Sequence, residues 1–142
     1  MKLVQHLLES KGDDVISITP DVSVLDAIRM MADRQVGSLL VMEGDELKGI
    51  VTERDYARKV IIKGRSSEST QVGEIMTEKV FTASPENTVN HCMNAMTDKK
   101  IRHLPITVDD KVVGMISIGD LVQAIIEDQK EEIEHLEHYI SG

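Results

Sequence analysis

Two hydrophobic periods alternate along this chain, and their order repeats. Leu3, Val4, Leu7 and Leu8 share one helical face, with Gly12 as a stop, which predicts a short amphipathic helix. Val15 to Ile18 predicts a strand closed by Thr19-Pro20. Ser23 is an N-cap for a helix carrying Val24, Ala27, Ile28 and Met31 on one face. The apolar run Ser38 to Met42 predicts a buried strand, Glu43 to Glu46 a turn, and Leu47 to Val51 the return strand. Thr52 opens a helix that runs through Tyr56, Val60 and Ile61. Lys63 to Thr70 is polar, with Gly64 and three serines, and reads as a linker.

Beyond the linker the pattern restarts. Val72, Ile75 and Met76 predict one helical turn. There follow a strand from Val80 to Thr82, Ser84-Pro85, a helix from Thr88 to Lys99 and a strand from Leu104 to Val108. The turn Asp109-Asp110, a strand from Val112 to Ile116 and a last helix complete the copy. Pro20 and Pro85, Gly49 and Gly114, and Asp55 and Asp120 are each 65 positions apart (85 − 20, 114 − 49 and 120 − 55). Val24/Val89, Met31/Met96 and Leu39/Leu104 keep that offset without a gap. The chain is therefore an internal duplication of a strand-helix-strand-strand-helix unit. Its expected fold class is α/β: two βαββα units packed about a pseudo-twofold axis, with an N-terminal helix and an extended C-terminal helix. Residues 1–70 would hold the first copy and 71–142 the second, sharing one core, because either copy alone is too short to bury its sheet well. In the last helix Ile126, Ile133 and Ile140 are seven apart, with Ile125, Gln129 and Leu136 beside them. That is an amphipathic strip for a partner helix or second subunit, backed by a solvated acidic face.

Composition narrows the function. With 16 Lys+Arg against 25 Asp+Glu the net charge is -9, which argues against generic nucleic-acid binding. Aromatic residues are 2%, so eight Met and the aliphatics must fill the core. The one cysteine, Cys92, has no internal partner for a disulfide and fits a reduced setting. The chain start shows no targeting signal, and no apolar run is long enough to span a bilayer. These features predict a soluble, cytoplasmic protein that does not insert into membranes.

The candidate chemistry sits at two turns. Gly49-Ile50-Val51-Thr52-Glu53-Arg54-Asp55 and Gly114-Met115-Ile116-Ser117-Ile118-Gly119-Asp120 each run an apolar strand end into a hydroxyl, with an Asp three positions later and a helix after it. Seen once, hydroxyl-x-x-Asp is a capping arrangement that only satisfies helix-start amides. Seen twice, it can also hold a ligand: an ionised Asp accepts hydrogen bonds from the two hydroxyls of a ribose. Arg54 and Arg58, one turn apart, could meet phosphates, and Gly119 leaves backbone open to close approach. Arg102-His103-Leu104-Pro105 enters the second middle strand where the first copy has Gly37-Ser38-Leu39-Leu40. Charge and bulk in one copy face small residues in the other. Taken alone, Arg102 and His103 would be a surface pair.

The order, the spacing, Arg102-His103-Leu104-Pro105 and the two Gly-x-x-[Ser/Thr]-x-x-Asp turns resemble a tandem pair of CBS domains, a Bateman module, over roughly residues 13 to 128. The resemblance implies two clefts for adenosine-containing ligands such as AMP, ADP, ATP, NAD or S-adenosylmethionine, no catalytic cofactor, and pairing into a homodimer. Carried over by position, Asp55 and Asp120 would hold ribose hydroxyls, and Thr52 and Ser117 would meet ribose or phosphate. Backbone at Val15-Ile16 and Lys79-Val80 would contact adenine. Gly37, Ser38, Arg102 and His103, with Pro105 beside them, would line the centre. The copies differ, since Gly37-Ser38 lacks the central cation and Ile118-Gly119 replaces Glu53-Arg54. Two unequal sites are expected, the Arg-bearing first turn with stronger phosphate contacts and the Gly-bearing second reading mainly nucleoside.

Other residues carry less. His135 and His138 with Glu131 and Glu134 have helical spacing that could hold a metal, but such charges on an exposed helix are ordinarily solvated. His6 and His91 lack an acid-base partner, Cys92 reads as core, and no nucleophile triad, paired carboxylates or Walker-type loop is visible. The leading expectation is a non-enzymatic nucleotide sensor acting on an unknown regulated protein. The alternative is a ligand-independent oligomerisation or docking module working through the acidic C-terminal helix.

Overall fold

A computed structural model describes residues 2–11 and 15–141. The expected helix stop at Gly12 lies outside the described residues. The element order is α1 (Val4–Lys11), β1 (Ser17–Ile18), α2 (Val24–Arg34), β2 (Ser38–Glu43), β3 (Glu46–Thr52) and α3 (Glu53–Tyr56). A π-helical turn (Ala57–Ile61) follows, then α4 (Val72–Ile75), α5 (Val89–Lys99), β4 (His103–Val108), β5 (Lys111–Ser117) and α6 (Ile118–Ser141). The mixed α/β class, the duplicated unit and the long last helix are all present.

Contact divides the chain into two compact units. One holds residues 15–81 with 109–112; the other holds the N-terminal segment, 82–108 and 113 onward. The expected halves divide the sequence by motif, and contact follows a different line. α1 precedes the first motif but groups with the second, and α4 precedes the second motif but groups with the first. The two leading helices are docked alike. Val72 N donates to Val22 O at 2.8 Å and Gly73 N to Pro20 O at 2.9 Å. In the other unit Val4 N donates to Asn87 O at 2.9 Å and Gln5 N to Pro85 O at 3.0 Å. Val4 and Val72 are both fully buried, so each leading helix closes the core of its unit.

In the first unit β1 pairs parallel with β2, and β2 pairs antiparallel with β3. Leu39, Val41 and Val51 meet Val24, Ala27 and Met31 of α2, with Val60, Val72 and Ile75 completing the core. In the second unit β4 and β5 form a two-stranded sheet, and Cys92, Met96, Leu104, Ile106, Ile116 and Leu121 are fully buried. Ser23 and Thr88 cap α2 and α5 as expected, accepting from Asp26 N and His91 N.

One expectation is corrected. The strand from Val80 to Thr82 does not form; one parallel bridge, Ala83 to Ile106, stands in its place. That bridge is the counterpart of Ile18 to Val41 in β1–β2. In the first copy Leu40 N also donates to Ile16 O at 3.3 Å. The equivalent residue is Pro105, which has no N–H to donate, so the ladder ends after one rung. The helix opened by Thr52 runs through Val60 and Ile61 as expected, α-helical to Tyr56. It then widens, with Ile62 N bonding Ala57 O at 3.0 Å and Arg65 N bonding Val60 O at 2.9 Å, both five residues back.

Candidate functional site

At the first turn the sequence builds a capping box. Thr52 has extended backbone and its Oγ1 accepts from Asp55 N at 3.0 Å, while Asp55 Oδ2 accepts from Thr52 N at 3.1 Å. The second oxygen of Asp55 is engaged as well. Lys59 Nζ lies 3.2 Å from Oδ1, and Thr77 Oγ1 donates to the same atom at 3.4 Å. Lys59 also donates to Ile75 O, the end of α4, at 2.8 Å. Asp55 is thus 8% exposed with both oxygens paired inside its own unit. An acid at i and a base at i+4 on a helix favour that ion pair.

At the second turn Ser117 Oγ accepts from Asp120 N at 3.1 Å and Asp120 Oδ2 accepts from Ser117 N at 2.8 Å. Here the surroundings differ. Position 124, equivalent to Lys59, is Ala124, and a cavity of about 290 Å³ opens between α1 and α6. Asp120, Ala124 and Glu127 line it from α6, and Lys2, His6 and Ser10 from the N-terminal segment. Lys2 Nζ sits 3.2 Å from Glu127 and 3.8 Å from Asp128. The hydrogen bond to Glu127, against a smaller opposing effect of desolvation, raises the Lys2 pKa. Hydrogen bonds from Gln123 and then Lys2 lower that of Glu127.

Each unit brings its middle-strand entrance to its turn. Glu53 N donates to Gly37 O at 3.1 Å, and Ser38 pairs in register with Thr52. Ile118 N donates to Arg102 O at 2.9 Å, which sets Arg102-His103 beside Ser117. Ser38 and Pro105 are buried, Gly37 and His103 half-buried, and Arg102, Arg54 and Arg58 exposed. Val15 and Ile16 are half-buried at the entry to β1; Lys79 is exposed, and Lys79 and Val80 fall in the unit of the first motif. Gly119 has no positive φ, and a Cβ there would meet nothing nearer than Ser117 Oγ at 3.6 Å. The residues that sequence reasoning missed are Lys59, Thr77 and the α1 wall of the cavity. The signal for Lys59 was its i+4 spacing from Asp55 and its replacement by Ala124 in the second copy.

Cys92 is fully buried, and that burial raises its thiol pKa. Among the described residues no group of three or more His, Cys, Asp or Glu is arranged to hold a metal ion, and no helix is long and apolar enough to cross a membrane.

A family model described as CBS domain matches residues 10–62 and 72–127. The chain is 44% identical over 148 residues to the CBS domain-containing protein CBSX3, mitochondrial, of Arabidopsis thaliana, covering 98% of this chain and 72% of that one. It resembles the solved structure of a putative signal-transduction protein with CBS domains from Burkholderia ambifaria, with 46% identity, a TM-score of 0.86 and coverage of 90% and 96%. It also resembles the CBS domain pair of protein MJ0100 in complex with 5′-methylthioadenosine and S-adenosyl-L-methionine, with 25% identity, a TM-score of 0.79 and coverage of 90% and 98%.

Proposed function

The chain belongs to the CBS domain family as a tandem pair, and from that premise we propose that it is a regulatory module which binds adenosine-containing ligands and signals by a change of conformation in a dimer. The observation that carries this reading is the duplicated turn. A hydroxyl and a carboxylate stand at the start of a helix in both units, Thr52 with Asp55 and Ser117 with Asp120. Binding of two adenosine compounds by the MJ0100 pair supports the ligand class.

AMP, ADP, ATP and NAD are the ligands to test, and the module works without a catalytic cofactor. Asp55 and Asp120 hold ribose hydroxyls. Thr52, Ser117 and Gly119 meet ribose or phosphate. Arg54, Arg58, Arg102 and His103 meet phosphates, and Gly37, Ser38 and Pro105 shape the space beside them. Backbone at Val15-Ile16 and Lys79-Val80 receives the adenine. A ligand shifts the module only through its different affinity for two conformations, and charge-assisted phosphate contacts are the source of that difference. The role is regulatory rather than catalytic. The site is cytoplasmic on this reading, and localisation of the tagged full-length chain decides between that and the mitochondrion.

Calorimetry with AMP, ATP, NAD and adenosine tests the proposal. Saturable heat, lost in the Asp55→Ala, Asp120→Ala double variant, is the expected result. No heat and no thermal shift with any of them at millimolar concentration would sink it.

A second reading has its own observation. On α6, Ile126, Ile133, Leu136 and Ile140 are exposed, from 41% to 82%. An apolar strip of that size in water is suited to a docking partner.

A further inference from the structure

Among the described residues, the large hydrophobics left exposed fall mainly in two places. One is α6, with Ile126, Ile133, Leu136, Tyr139 and Ile140. The other is Ile61 and Ile62, 58% and 77% exposed, where the helix opened by Thr52 widens into its π-helical turn. Wide turns of that kind are frequent at functional sites. Val60 beside them is fully buried, so the turn commits one residue to the core and leaves two consecutive isoleucines outside. The two places carry opposite charge. From Arg54 to Arg65 the chain has five cations, Arg54, Arg58, Lys59, Lys63 and Arg65, and one acid, Asp55, which is buried and paired with Lys59. Arg65 is held by Glu74 at 2.7 Å, while Arg54, Arg58 and Lys63 stand exposed with Ala57, Ile61 and Ile62. On a chain of net charge -9 this is a basic rim on an apolar patch. On α6 the sign is reversed: Glu131, Glu132, Glu134 and Glu137, with Lys130 the one lysine among them, flank Ile133, Leu136 and Ile140, all exposed.

We infer that the patch formed by Arg54, Arg58, Ile61, Ile62 and Lys63 receives the C-terminal part of α6 from a second copy of this chain. This rests on the docking reading of α6 above and names its occupant. Apolar strips on two helices associate to leave water, and the charges on their rims decide which strips pair. Laying one α6 tail along another would bring four glutamates from each copy together against one lysine from each. Like charges so placed oppose the pairing. Laying the tail on the basic patch sets the same glutamates against Arg54, Arg58 and Lys63. Arginine suits that contact, because its planar guanidinium meets a carboxylate with two parallel hydrogen bonds. Every copy brings one tail and one patch, so the chain supplies both halves of the contact in equal number.

The test is sedimentation equilibrium of the full chain at about 0.05 and about 0.5 M salt, with thermal melts to check folding. Salt screens a contact between opposite charges and weakens it, whereas it strengthens a tail-to-tail pairing by screening the glutamates. The parent self-associates, and its association constant falls by about tenfold across that range. Ile61→Ser with Ile62→Ser, and separately Ile133→Ser with Leu136→Ser, each weaken association by about tenfold or more. Combining the two pairs adds little, since both act on one contact. All four side chains are exposed, so these variants keep the core intact. A monomeric parent, association that strengthens with salt, or fully additive losses would overturn the inference. So would a loss confined to the tail variant while the folded Ile61 and Ile62 variant associates like the parent, which leaves α6 docking elsewhere. Parent binding to phosphatidylserine vesicles, lost in the Ile61 and Ile62 variant with self-association unchanged, gives the patch to a lipid surface and overturns it too. Unchanged association in the tail variant removes the docking reading of α6 itself, a result distinct from these.

Discussion

A glycine can be required by its neighbours rather than by its own backbone, and Gly49 and Gly114 are such positions. Neither has positive φ. A Cβ on Gly49 would lie 2.7 Å from Thr77 O and 2.9 Å from Met76 Sδ; a Cβ on Gly114 would lie 2.5 Å from Leu8 Cδ2. Leu8, within α1, and Met76, just past the end of α4, are equivalent residues pressed onto β5 and β3. The obstacles differ in kind. Thr77 O belongs to a backbone held by paired bonds with Ile50, at 3.0 and 2.8 Å, while the Leu8 tip can rotate away. Gly49→Ala is accordingly expected to destabilise by about 1–3 kcal/mol, with Gly114→Ala clearly milder. Urea unfolding of both variants checks the order; equal losses would contradict it. Sequence showed the glycines as part of the motif. It could not show that their reason lies in the leading helices.

The leading helices illustrate why part of the repeat was hidden. Strands, helices and turns of the two motifs keep the 65-residue offset, and there the reading of elements was close: Ser23 and Thr88 cap the helices it assigned. α1 and α4 are offset by 68, so the shift in register conceals that they are the same element. Their chemistry differs too. In α4, Gln71 N donates to Glu74 Oε2 at 2.7 Å; in α1, Leu3 N donates to His6 Nδ1 at 3.1 Å, an imidazole in the place of a carboxylate. The failed strand at Val80–Thr82 has an equally local cause, since Pro105 reads as strand by hydrophobicity yet lacks the N–H that a second rung needs. Capping of α4 makes stability depend on pH. The Gln71 N–H bond, and then the Arg65 guanidinium at 2.7 Å, lower the Glu74 pKa below 4.5. A lowered folded-state pKa stabilises above the unfolded value and is lost as pH falls through the folded one. The parent should thus exceed Glu74→Gln in unfolding midpoint at neutral pH, and the gap should close as pH falls below 4.5. A gap independent of pH would assign it to packing alone.

At the scale of the molecule, the proposed function divides between two turns and a tail. α6 runs 24 residues, and every residue from Gln129 to Ile140 is exposed. Removing residues 130–142 is expected to weaken self-association or docking while nucleotide heat is kept, read by light scattering and calorimetry on one sample. Loss of nucleotide binding with the tail would merge the two roles. The central claim is that the paired turns bind an adenosine ligand, and titration of AMP into the full chain tests it most directly. The account predicts a saturable heat that disappears in the Asp55→Ala, Asp120→Ala double variant while its thermal melt stays cooperative. A folded double variant that binds as well as the parent, or a parent with no heat at millimolar AMP, ATP, NAD or adenosine, would contradict it.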